Sequence, residues 1–92
     1  MLLKSCMDEE GLRRQAQERI RQGRLPAQAP LRTWGGPGAG YLCSLCDLPI
    51  RQGEIEFELE LDANANPISV RLHSFCHAAW ELERRSLPEH PG

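Results

Sequence analysis

Between Glu54 and Asp62 the chain reads EIEFELELD, with apolar and acidic side chains alternating without a fault. A period of two puts Ile55, Phe57, Leu59 and Leu61 on one face of a strand and Glu54, Glu56, Glu58 and Glu60 on the other. The segment ANANP at 63–67 is turn chemistry, because Asn tolerates the left-handed region and Pro67 fixes its φ. Alternation resumes in ISVRL, with Ile68, Val70 and Leu72 on one face. The two runs predict an antiparallel hairpin in which Arg71 answers a glutamate across the strands. The four glutamates read as a solvated face that discourages edge-to-edge association. Carboxylates along one strand diverge, and no Asp-Gly loop accompanies them, so the pattern argues against a calcium site.

Two segments have helical spacing instead. Asp8 to Gln22 carries Leu12, Ala16 and Ile20 every fourth residue. Ser5 is placed to cap it, and Asp8, Glu9 and Glu10 favour the positive end of the helix dipole. Gly23 and Pro26 end it. So narrow an apolar stripe predicts a solvated helix leaning on the body by one edge. Ser74 to Arg85 is the second helix, with Ser74 as cap, Glu81 facing Arg84 or Arg85, and Pro88 beyond the end. Phe75, Ala79 and Leu82 share one face, Cys76 and Trp80 lie beside it, and Trp80 reads as core. Between the first helix and the cysteines, RLPAQAPLRTWGGPGAG at 24–40 reads as a connector. Its prolines and glycines break regular structure, and Trp34 is expected to dock on the body. It is no phosphate cradle: no strand leads in and no Gly-Lys-Ser/Thr closes it.

Ninety-two residues make one small domain whose thin core, with 5% aromatic residues, needs a staple. Charge is split along the chain. Residues 1–40 hold seven basic side chains against four acidic ones, a net of +3, and residues 41–92 hold four against nine, a net of −5. No apolar run approaches the ~20 residues of a membrane span. MLLKSCMDEE turns charged too early for a signal peptide. The expectation is a cytoplasmic chain with reduced thiols, in which cysteines serve metal or redox chemistry.

Those cysteines are ordered suggestively. Cys43 and Cys46 enclose two residues, a spacing that makes a tight turn aiming both sulfurs at one point. Asp47 follows, where a residue tolerating positive φ is wanted. After the hairpin, His73 and Cys76 stand three residues apart at the start of the second helix and converge on one face. Cys43, Cys46, His73 and Cys76 are the expected ligand set for a structural Zn²⁺. His77 is a substitute for Cys76, because an i, i+4 pair with His73 also converges. Adjacent helical positions point ~100° apart, so Cys76 and His77 do not both take that place. Four protein ligands close the shell, leaving no site for a reactive water. Redox use of CSLC lacks the strand–helix–strand setting it requires. Cys6 stands alone and is assigned nothing.

The order knuckle, hairpin, helix resembles the treble-clef zinc finger. The Cys-x2-Cys…His-x2-Cys set resembles the poly(ADP-ribose) polymerase finger and half of a LIM domain, with Ile50 after the knuckle and Trp80 in the final helix extending the likeness. It covers residues 41–85. The whole chain is also similar to small bacterial proteins with a TWGG…G segment before the knuckle and a W-E-x-E-R helix after it, a likeness that implies a bacterial origin and no function. The resulting expectation is an α+β fold: residues 1–40 as helix and connector, 41–87 as a treble-clef-like zinc domain, and 88–92 as a tail.

The closed site and acidic body lead to a non-enzymatic module that docks a protein partner, with no small-molecule substrate. The polymerase-finger resemblance implies nucleic-acid binding as the alternative, and Arg13, Arg14, Arg19, Arg21, Arg24 and Arg32 would supply its phosphate contacts. A remoter alternative is a nuclease. Those with a His-Asn-His motif share the layout and a Cys-His pair like Cys76-His77, but they need a histidine where this chain has Asp62, Asn64 and Asn66.

Overall fold

The computed structural model describes residues 9–64 and 67–86. Ser5, Cys6, Asp8 and the 88–92 tail lie outside the described residues. The element order is α1 (Glu9–Arg21), β1 (Arg32–Pro37), β2 (Ile55–Glu60), β3 (Ser69–His73) and α2 (Ser74–Arg85). The three strands form one antiparallel sheet in the order β1-β2-β3. One face of the sheet is covered by α2, and α1 packs on α2. This is a small α+β fold.

The hairpin follows its alternation. Leu59, Leu61, Val70 and Leu72 are buried, and Arg71 pairs with Glu56 at 3.3 Å and Glu58 at 3.4 Å. Two details differ from expectation. Ile55 and Ile68, at the ends of their runs, are exposed, and Glu56 is largely covered by its pairing with Arg71.

The connector contains a strand, contrary to the sequence reading. Arg32 to Pro37 pairs along β2 from Glu60 to Ile55. Proline and glycine are tolerated because β1 is an edge strand. Gly38 donates to the Glu54 carbonyl, so even-numbered residues bond to β2 and the nitrogen of Pro37 lies on the free side. Gly38 itself has no room for a side chain: a Cβ there would lie 2.0 Å from the Arg51 carbonyl oxygen. Trp34 does not dock on the core. It stands 52% exposed on the outer face of the sheet, opposite Glu58, with the Arg32 guanidinium 5.8 Å from its ring.

The first helix ends in a Schellman motif. Gly23 takes φ 78°, its N–H donates to Ile20, and the Arg24 N–H donates to Arg19. Ala16 is fully buried, with Leu12 and Ile20 packed beside it. That much matches a helix leaning by one edge. Leu25, just past the turn, enters the core.

The second helix has its expected bounds and its expected core residue, Trp80, but not its expected cap. His73 is the N-cap residue, and no side chain closes the helix start. The buried face is Cys76, Ala79, Trp80 and Glu83, whereas Phe75 is 80% exposed and Leu82 is also exposed. Sequence spacing alone favours the apolar Phe75 face. The structure instead buries Glu83, because α1 brings Gln17 at 2.7 Å and the Arg13 guanidinium onto its carboxylate. A buried carboxylate is affordable only when so paired.

Burial pushes the Glu83 carboxyl up, but the Gln17 and Arg13 hydrogen bonds and the Arg13 charge outweigh it and hold its pKa below the ordinary carboxylate value. A depressed pKa contributes stability that is present above the unfolded value and is lost as pH falls through the folded one. Acidification below the ordinary glutamate range should therefore loosen α1 from α2. In Glu83→Gln this acid-dependent part should be absent. Amide exchange of residues 9–21 across an acid titration checks both, and identical profiles would refute the assignment.

Candidate metal centre

The knuckle is a small hairpin of its own. The Leu48 carbonyl accepts from Cys43, the Cys43 carbonyl accepts from Asp47, and Leu42 bridges Pro49. Asp47 takes φ 67°, as its position after the second cysteine requires. The unit docks on the free edge of β3, where Ser44 donates to the Arg71 carbonyl at 2.8 Å. Fully buried Leu45 and Ile50 anchor it in the core. The edge of β3 runs directly into α2, so the knuckle sulfurs come to lie over the first turn of that helix.

There Cys43, Cys46, His73 and Cys76 meet, with one donor atom from each and all four within 4.8 Å of one another. Around a tetrahedral Zn²⁺, sulfurs would stand about 3.8 Å apart. The cluster therefore needs only small shifts to close on an ion. Cys43 and Cys76 are buried and Cys46 and His73 half-buried. The four donors could hold a metal ion, and their arrangement fits a zinc-finger-like site.

The histidine presents a defined nitrogen. Nδ1 lies 3.4 Å from the Cys46 sulfur and 3.9 Å from that of Cys76. Nε2 lies 3.1 Å from the Pro49 carbonyl oxygen and 3.5 Å from a Glu54 carboxylate oxygen. A proton on Nε2 satisfies those acceptors and leaves the Nδ1 lone pair for the metal. A ligand histidine held by its far nitrogen is the usual arrangement around bound zinc.

The thiols are tuned unequally. A hydrogen bond from Cys76 draws the Cys43 thiol well down, against its burial, and backbone N–H groups of Cys46, His73 and Leu45 add to the effect. Cys76 is pushed up by that same bond, by burial and by the negative charge of Cys43 and Cys46. Cys46 is pushed up chiefly by burial. One thiolate is thus favoured, and an incoming cation must displace protons from the other two sulfurs. Three thiolates and one neutral imidazole around Zn²⁺ sum to −1. The uncapped start of α2 and the Leu45 N–H, 3.4 Å from the Cys43 sulfur, face that charge.

His77 is not brought into the cluster. Its ring stacks on Phe57 at 4.4 Å and tilts against Trp80, and burial lowers its pKa. The choice between Cys76 and His77 falls to Cys76, which faces the other donors.

The six arginines of the basic segment each lie within 4.0 Å of a carboxylate. Arg13 pairs with Glu83, Arg14 with Glu10, Arg19 and Arg24 with Asp47, Arg21 with Glu18, and Arg32 with Glu60. Sequence reasoning counted them as one basic surface, whereas three of the pairings cross from α1 or its turn to the rest of the body. Long-range pairing of this kind leaves no local signal in the sequence. Among the described residues, no helix is long and apolar enough to cross a membrane. Compared with protein-family models, curated proteins and solved structures, the chain gives no match in any of the three.

Proposed function

We propose that this chain is a small module built around one structural zinc ion, without catalytic activity, whose role is to dock a protein partner. The observation that carries the metal reading is the convergence of Cys43, Cys46, His73 and Cys76 within 4.8 Å. Sulfur-rich donors in tetrahedral number select zinc over hard cations such as Mg²⁺ or Ca²⁺. The knuckle, the β2–β3 hairpin and α2 follow one another in treble-clef order, which supports that finer classification. A closed shell of four protein ligands holds a fold and activates no water. A compartment that keeps thiols reduced, such as the cytoplasm, suits three thiolate ligands.

Docking a protein is supported by the surface. Trp34 and Tyr41 are half exposed on the outer side of the sheet, where Tyr41 stacks on Arg71 at 4.0 Å. Exposed aromatics are enriched where proteins meet. Nucleic-acid binding draws less support, since the arginines it requires already face carboxylates. The nuclease reading would rest on His77, a residue wedged between Phe57 and Trp80.

Native mass spectrometry of the chain purified without added metal should show one zinc per chain, lost in Cys43→Ser. A metal-free mass for the native chain would refute the proposal. A mobility-shift titration at low salt should show no retardation of DNA or RNA.

A further inference from the structure

We infer that Arg19 of α1 holds the knuckle in its metal-binding shape, so that docking of α1 and metal binding strengthen one another. The inference rests on the metal reading above. Arg19 is an unusual side chain for a helix so polar: it is only 8% exposed. It is spent on the two residues that flank Cys46. Nη2 donates to the Asp47 carboxylate at 2.6 Å, and Nε donates to the Leu45 carbonyl at 3.4 Å. With its amide oxygen turned toward the guanidinium, Gln15 accepts from the same Nη2 and Nε at 2.9 and 3.2 Å.

Both knuckle contacts bear on the ligand geometry. The Leu45 N–H points at the Cys43 sulfur. Asp47 sits in the left-handed region at φ 67°, a conformation that costs a non-glycine residue energy and persists only where neighbours enforce it. The ion pair with Arg19 supplies such enforcement. Arg19 is thus a positioning residue, acting on Cys43 and Cys46 through Leu45 and Asp47.

The coupling works in both directions. A buried guanidinium needs its acceptors in place, and those acceptors belong to a loop that the metal fixes. Whatever factor docked α1 adds to metal affinity, bound metal must add to the docking of α1. The first helix is on this account part of the metal centre, although it contributes no ligand.

The test pairs affinity with exchange. Zinc affinity is measured by chelator competition for the wild-type chain, Arg19→Met, Asp47→Asn and the double variant, with Arg14→Met as an exposed control on the same helix. Amide exchange of residues 9–21 is followed with and without zinc. Residues that support metal ligands from behind usually matter by roughly ten- to hundred-fold in affinity. Arg19→Met and Asp47→Asn should each fall by an amount in that range, the double variant by no more than the larger single loss, and Arg14→Met should stay at wild type. Zinc should slow exchange along α1. Asp47→Asn perturbs the contact from an exposed knuckle side chain, so it reports even if Arg19→Met folds poorly. Wild-type affinity in both single variants, or exchange along α1 that ignores zinc, would overturn the inference while leaving the metal site standing. A wild-type chain that binds no zinc would remove the metal reading and this coupling with it.

Discussion

Stripping the metal from this chain at neutral pH should unfold residues 41–85 and release α1. The apparent binding energy of structural zinc in finger peptides is about 10–16 kcal/mol. The net stability of a small domain is about 5–15 kcal/mol. Most or all of the folded state's advantage can therefore come from the ion. The structure shows why little else would compensate. Cys43, Leu45 and Cys76 belong to the buried cluster, so the core and the metal site are built from the same residues. Without a cation, the four donors hold one another only by weak thiol and imidazole hydrogen bonds. The knuckle would then be held by the Ser44–Arg71 backbone bond, the grip of Arg19 and the packing of Leu45 and Ile50. Far-ultraviolet circular dichroism after verified metal removal should show loss of the helical signal, restored by stoichiometric zinc. An unchanged spectrum in a chain shown to be metal-free would mean that the ion is not structural.

The second large effect belongs to Trp80. Its side chain is fully buried at the centre of the core, and its Nε1 donates to the Pro26 carbonyl at 2.8 Å. It therefore joins α2 to the segment that leaves α1. Truncating a buried aromatic to alanine costs about 3–5 kcal/mol. Orphaning the Pro26 carbonyl adds about 1 kcal/mol. With excess zinc present, Trp80→Ala should lose that much in denaturant melts, and Trp80→Phe only about 1–2 kcal/mol. Phe75→Ala, on the exposed side of the same helix, should change stability by no more than about 0.5 kcal/mol. Equal losses for Trp80→Ala and Phe75→Ala would mean that α2 presents a different face to the core.

Phe75 marks the boundary of what local pattern can tell. The spacing of Phe75, Ala79 and Leu82 is a legitimate helical stripe, and so is that of Cys76, Ala79, Trp80 and Glu83. Hydrophobicity alone ranks the first above the second. The second is buried because Cys76 must reach the knuckle and because α1 supplies cation and amide to Glu83. Both causes lie tens of residues away in sequence. The strand Arg32–Pro37 was hidden for a related reason. Its Gly-Gly-Pro looks like a breaker, and only the pairing with β2, with Pro37 turned to the open edge, makes it a strand.

What the sequence determined by itself was everything carried by short-range geometry. A two-residue gap between Cys43 and Cys46 aims their sulfurs together, and period-two alternation builds the hairpin that follows. The shared helical face expected of His73 and Cys76 does not form, because His73 ends β3 as the extended N-cap residue of α2. Tertiary structure alone decided that His73 turns Nδ1 toward the cysteine sulfurs, and that Arg13 and Arg19 fasten α1 to the body. The physical reason is that these choices depend on which charges and acceptors other segments bring within hydrogen-bonding reach. No repeat or spacing within one segment records that.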